Sequence, residues 1–275
     1  MWYGSKMNIL YIGDVMAEPG LAVLERVLPG LKRERTIDLV LAQAENASAV
    51  DGKGVGLKEF HRMQAAGVDF CTGGNHSFKK DEINGQLNDP NVPIVRPANY
   101  PAGTIGLPYK YIATPKGKVL VVSLMGQIVG KQSEEVVDNP LQVVDAILGA
   151  EKDTPRAATI VNYHGDFSSE KMIIGYYLDG RVSAVVGDHW HVPTADAEVL
   201  PKGTAHITDV GMCGSLDSSL GVSFTGLIDR WRDGHQNKNV IEYGGRMQFN
   251  ALLVDVDEQT GLARSAEQIR RIFEQ

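Results

Sequence analysis

The chain reads as an α/β protein in which two packed β-sheets of mixed strand direction lie between helices in one domain. Three observations predict this. Over the first third, β-branched apolar runs alternate with amphipathic helical patterns, the rhythm of a parallel sheet with right-handed crossovers. Near the middle the rhythm gives way to a hairpin signature, which brings in antiparallel strands. No linker, internal repeat or low-complexity tract breaks the pattern. With 275 residues, 43% of them hydrophobic, the chain can bury a substantial core. Its 30 glycines, about 11% against a usual ~7%, suit many tight turns at strand ends.

The elements follow in order. Residues 1–6 precede a second methionine, Met7, and read as a leader or added extension, so the domain is taken as 7–275. Met7–Ile12 is a strand entering Gly13-Asp14. After a Pro19-Gly20 turn, Leu21–Lys32 repeats apolar residues at helical spacing. Asp38–Ala44 is the next strand and ends in Glu45-Asn46. A helix over Leu57–Ala66 passes through Gly67 to the strand Val68–Thr72, followed by Gly73-Gly74-Asn75-His76. Lys110–Thr114 and Val119–Leu124 flank Pro115-Lys116-Gly117-Lys118 and form the hairpin. Leu141–Ala150 is helical, and Thr159–Tyr163 is a strand running into His164-Gly165-Asp166. The apolar run Val182–Val186 reads as a buried strand ending in Gly187-Asp188-His189-Trp190-His191. Ala205–Thr208 and Gln248–Val256 complete the strands.

Bulk properties exclude several classes. A formal charge of −7 argues against duplex nucleic acid as a partner, because that binding relies on many Lys and Arg contacts to phosphate. It leaves room for a small phosphate ester. Cys71 and Cys213 form no CxxC pair and fit a reducing cytoplasm. No signal-peptide pattern opens the chain and no run approaches a membrane span, so neither secretion nor a membrane partner is expected. A homo-oligomer is compatible with the sequence.

The chemistry gathers just past the strand ends. Asp14, Glu45, Asn46, Asn75, His76, His164, His189 and His191 come from five of them, and open α/β sheets bind ligands beyond the carboxyl ends of their strands. A donor set of carboxylate, amide oxygen and imidazole suits Mn, Fe or Zn better than Mg or Ca, which prefer oxygen alone. Eight groups are too many for one tetrahedral site and fit two adjacent ions. Two ions about 3.5–4 Å apart clamp the attacking and departing oxygens of a phosphate ester.

This ordered series resembles the calcineurin-like metallophosphoesterases, and their bacterial YmdB-type branch more closely still. The similarity lies in Ile12-Gly13-Asp14-Val15, Glu45-Asn46-Ala47, Gly74-Asn75-His76, Arg96-Pro97-Ala98-Asn99, Leu200-Pro201-Lys202-Gly203-Thr204-Ala205 and Ile207-Thr208-Asp209-Val210-Gly211-Met212. It spans nearly the whole chain after the leader. The resemblance implies a four-layer αββα sandwich, two divalent or trivalent metal ions (iron or manganese, with zinc as a third candidate) and phosphodiesterase activity on small diesters such as 2′,3′-cyclic nucleotides. It assigns Asp14, Glu45, Asn46 and His191 to one metal, with Glu45 bridging, and Asn75, His164 and His189 to the other. His76 stays off the metals as general acid to the oxygen that leaves when a hydroxide held between the ions attacks the phosphate. Two departures mark this chain. Met16 stands where many relatives carry histidine, with Asn46 as substitute ligand. Ser77 stands where many carry an acidic residue that could orient the catalytic histidine. Asp188 and Asp166 are candidates for supporting the ligands from behind.

Plainer roles account for the other conspicuous residues. Trp190 reads as a pocket wall or packing group, with base stacking as the alternative. Arg96 reads as either an ion-pair member or a phosphate contact. His61 belongs on a helix surface, His206 and His235 carry no spacing signal, and Cys71 belongs to the core. Two other functional readings remain beside the phosphodiesterase: a regulatory nucleotide- or RNA-associated binding protein with weak catalysis, and a phosphomonoesterase.

Overall fold

The computed structural model describes residues 6–129 and 136–274. Of the expected leader, residues 1–5 lie outside the described residues. Lys6, its last residue, opens the first strand and pairs with Asp257.

One sheet is built on β1 (Lys6–Ile12), with β3 (Leu39–Gln43) and β4 (Phe70–Thr72) following in parallel on one side. The long strand β12 (Met247–Asp257) runs antiparallel to β1 and also pairs with β13 (Ala263–Phe273) and β11 (Met212–Ser215). The two-residue strand β2 (Asp14–Val15) closes that edge beside β11. The second sheet has the order β5 (Tyr109–Thr114), β6 (Gly117–Met125), β7 (Ala158–His164), β8 (Ala184–Asp188), β10 (Ala205–Ile207) and β9 (Glu198–Val199). Its four central strands are parallel, while the β5–β6 hairpin and β9 are antiparallel.

Alternation along the strands produces the layers. Ile9, Tyr11, Leu39 and Leu41 point one way and pack with Val119, Val121, Ile160, Val186 and Ile207, which forms the core between the sheets. Leu10, Ile12, Val40 and Ala42 point the other way, against Leu21, Leu24, Leu28 and Leu31 of α1 (Ala17–Arg35) and Phe60 and Met63 of α2 (Leu57–Ala66). On the far face of the second sheet, Val122, Leu124 and Val161 pack with Val144 of α4 (Pro140–Ala150) and Ile174 of α5 (Ser168–Tyr177). The result is the four-layer αββα sandwich. Among the described residues, no helix is long and apolar enough to cross a membrane.

Several boundaries differ from the sequence reading. Pro19 and Gly20 are not a turn; they lie in the first turn of α1, where a missing N–H costs nothing. Gly20 is required there by close approach, since a Cβ would sit 2.6 Å from the Cys213 carbonyl oxygen. Val68 closes α2 by donating to Met63 O, so β4 starts later, at Phe70. His164 is the last residue of β7 rather than beyond it, and β8 carries on through Gly187 and Asp188. Helices α3 (Asp81–Leu87), α5 and α6 (Phe224–Asp233), and strands β2, β9, β11 and β13, had no clear sequence signature.

Candidate metal centre

The sandwich brings the carboxyl ends of β1, β3 and β4 in one sheet against those of β7 and β8 in the other. All eight strand-end residues meet there, seven of them in two groups and His76 at the rim.

In the first group, His191 Nε2 lies 3.2 Å from Asn46 Oδ1 and 3.8 Å from Asp14 Oδ1. Hydrogen bonds set the roles of these atoms. His191 Nδ1 donates to Leu220 O at 3.1 Å, which leaves Nε2 with a lone pair. Asn46 Nδ2 donates to Gly52 O at 2.8 Å, which turns Oδ1 toward the histidine. Burial, and then His189, push His191 down to about 4, so the ring is neutral. Asp14 Oδ1 is buried and has no hydrogen-bond partner among the described residues. His191 Nε2 and Asn46 Oδ1 therefore face each other as two acceptors, with the unsatisfied Asp14 Oδ1 beside them.

In the second group a histidine nitrogen again faces side-chain oxygens. His164 Nδ1 lies 2.7 Å from Asp188 Oδ1, while Nε2 faces Asn75 Oδ1 at 2.8 Å and Glu45 Oε1 at 3.4 Å. A second ring proton or a cation at Nε2 satisfies these oxygens. Glu45, His164 and His189 each offer a ligand atom, all within 4.8 Å of one another. The His164 and His189 rings stand edge to face with centroids 4.5 Å apart. Gly74 makes room for this group, because a Cβ would fall 2.3 Å from Glu45 Oε2 and 2.6 Å from His164 Nε2.

Electrostatics set the two groups apart. Burial, reinforced by the charge of Asp188, raises Asp14 well above the usual carboxylate value. Burial also acts to raise Glu45, but His164 and His76 outweigh it and hold that carboxyl well below its ordinary value. For His164, burial opposes charge, yet Glu45 and Asp188 prevail and hold the ring well above its ordinary value. Buried acceptors crowded this tightly, with one carboxylate oxygen unsatisfied, are the donor chemistry of a cation site. The residues fit metal.

His76 stands at the rim and is half-buried. Its backbone N–H donates to Glu45 Oε2 at 2.8 Å, and its Nδ1 lies 3.2 Å from Glu45 Oε1. Glu45, from the end of β3, therefore contacts both the backbone and the ring of His76 in a chain that has Ser77 rather than an acid after it. Ser77 instead donates to Gly74 O at 2.7 Å and stabilises the turn. Met16 is a buried packing residue, clustered with Met212, Val222 and Ile241.

Asp188 does more than its sequence position suggested. It also accepts from Asn162 Nδ2 at 2.6 Å, Tyr11 Oη at 3.0 Å and Gln43 Nε2 at 3.0 Å, so both sheets hold it behind His164. Asp166 Oδ1 lies 3.3 Å from His189 Nε2. Trp190 Nε1 donates to Asp166 O at 3.0 Å, which ties the indole into the pocket wall. Arg96 is buried, makes no ion pair among the described residues, and donates to the carbonyls of Pro97, Ala98 and Gly106. Sequence reasoning passed over Tyr11, Gln43 and Asn162. Their only signal was polarity inside apolar strands.

Known proteins share this architecture. The 2′,3′-cyclic-nucleotide 2′-phosphodiesterase of Bacillus subtilis (strain 168) is 37% identical over 265 residues, 96% of each chain. The crystal structure of a hypothetical protein from Thermus thermophilus aligns with a TM-score of 0.86 at 36% identity, over 97% of this chain and 99% of that one. A phosphatase from Mycoplasma pneumoniae aligns with a TM-score of 0.89 at 29% identity, over 98% and 94%. A model of the YmdB-like proteins matches residues 10–269. With a match that runs from β1 into β13, this chain belongs to the YmdB-like protein family.

Proposed function

We propose that this protein is a metal-dependent phosphodiesterase that hydrolyses small diesters, 2′,3′-cyclic nucleotides foremost, with two metal ions and a histidine general acid. The observation that carries the reading is the double convergence of acceptor atoms on His191 Nε2 and His164 Nε2. Asp14, Asn46 and His191 would hold one ion and Asn75, His164 and His189 the other, with Glu45 shared. Iron and manganese suit this mixture of donors, and zinc is the third candidate. When bound, such a pair supplies Lewis-acid chemistry, neutralising phosphate charge and making a nucleophile available from water near neutral pH.

The chain's own residues do the rest. Asp188 holds the His164 proton on Nδ1 and so presents Nε2 toward the ligand group. Leu220 O does the same for His191 through its Nδ1. Nδ1 of His76, partly exposed at the rim, lies 3.2 Å from both Glu45 Oε1 and Asn46 Nδ2, which orients the ring and leaves Nε2 as the nitrogen that would give a proton to the departing ribose oxygen. The name of the Bacillus subtilis relative supports the choice of substrate.

The test is metal-dependent turnover. Protein loaded with manganese or iron is expected to hydrolyse 2′,3′-cyclic AMP and a nitrophenyl phosphodiester, and to lose both activities to a chelator. Tight nucleotide binding with negligible turnover would identify a sensor instead. Turnover of phosphomonoesters alone would make it a phosphomonoesterase.

A further inference from the structure

Behind the His189–His191 loop lies a cation for which the proposed chemistry has no use. Lys171, on α5, is fully buried, and an ammonium sealed from water is costly unless its protons are engaged. Its Nζ donates to the Asp188 backbone oxygen at 2.7 Å and to Asp209 Oδ2 at 2.8 Å, and lies 4.0 Å from the Trp190 ring centroid. Asp209 is buried as well. Its Oδ2 also accepts from the Trp190 backbone N–H at 2.9 Å, and its Oδ1 from that of Gly211 at 2.9 Å.

The loop needs such a hold. His189 and His191 have φ of 98° and 62°, conformations that side chains rarely adopt and that persist only under external constraint. Lys171 grips residue 188 immediately before the first histidine, and Asp209 grips residue 190 between the two. The indole then reaches Asp166 O, two residues past His164. The compact ammonium, with its freely rotating donors, suits three partners in different directions better than a planar guanidinium would.

We infer that Lys171, acting with Asp209 and Trp190, positions His189 and His191 and thereby sets the spacing of the two metal ions. Lys171 touches neither imidazole, so it is a positioning residue, and the inference rests on the two-ion reading above. Lys171→Met alone would strand Asp209 as an unpaired buried carboxylate. The informative variants are therefore Lys171→Met combined with Asp209→Asn, and separately Trp190→Phe, which keeps the ring but loses its N–H. Each is titrated with Mn(II) beside the native protein, following metal count, affinity and the exchange-coupled EPR signal that reports the distance between two manganese ions. The double variant is expected to melt cooperatively, to bind manganese roughly 10–100-fold more weakly and to show an altered coupled signal. Trp190→Phe moves both readouts the same way but less. Native affinity and an unchanged coupled signal in the folded variants would overturn the positioning role. If the double variant does not fold, Trp190→Phe decides on the same readouts. Native protein that binds fewer than two manganese ions defeats the two-ion reading itself, an outcome distinct from variants that behave like the native chain.

Discussion

The two halves of the site are built by different means. The half around His164 is braced by side chains deep between the sheets, with Asp188 receiving donors from His164, Tyr11, Gln43 and Asn162. The half around His191 depends on loop backbone: Leu220 O orients the imidazole and Gly52 O orients Asn46. One half keeps its carboxylate ionised, with Glu45 held low, whereas the other has Asp14 held high with an unsatisfied oxygen. A rigid, charge-balanced half beside a loop-held, charge-starved half predicts unequal metal affinities, with the His164 side the less yielding of the two.

Substitutions test this asymmetry, ranked here by their expected effect on metal content. Glu45→Ala touches both halves and should empty both positions, with turnover falling more than about 10³-fold. Metal analysis showing two retained ions would remove Glu45 from its shared role. Asp188→Asn places an amide N–H₂ among groups that all donate. It should weaken the His164-side ion by roughly 10–100-fold and cost about 3–5 kcal/mol of stability, visible in thermal melts. If the His191-side ion weakened instead, the assignment of the braced half would be wrong. Asn46→Ala should cost only the His191-side ion, by about tenfold or more, and leave the melting temperature near native. His76→Ala should leave metal content untouched while turnover drops about 10²–10⁴-fold; metal loss in that variant would show that His76 is a ligand.

Much of the fold and most residues of the candidate site were legible in the sequence, and for one reason. In the α/β pattern, strands and their ends are encoded locally, as apolar runs closed by glycine and polar residues. Asp14, Glu45, Asn46, Asn75, His76, His164, His189 and His191 each stand at such an end, so all eight could be named before any contact was known. Helix α2 could be bounded at Leu57 and Ala66 because Gly67 caps it in a left-handed turn. Strand β13 was missed because its sequence, Ala263-Arg264-Ser265-Ala266-Glu267-Gln268-Ile269-Arg270-Arg271-Ile272-Phe273, is largely polar, and it lies where β12 supplies all of its pairing. Helix α5 was missed because its apolar residues do not keep to one buried face: Met172, Ile173, Tyr176 and Tyr177 are exposed while Lys171 is fully buried.

The sequence by itself determined which residues end the strands and, from their chemistry, that acids, amides and imidazoles would share one edge of the sheets. Tertiary structure alone decided how those residues divide into two groups and what stands behind them. Asp188 meets Gln43 across 145 residues of chain and Tyr11 across 177. Such partners are chosen by the packing of one sheet on the other, and periodicity carries no record of them. A buried polar atom needs a partner wherever the fold brings one within reach, so local pattern locates the strand ends while packing selects the contacts that turn them into a site.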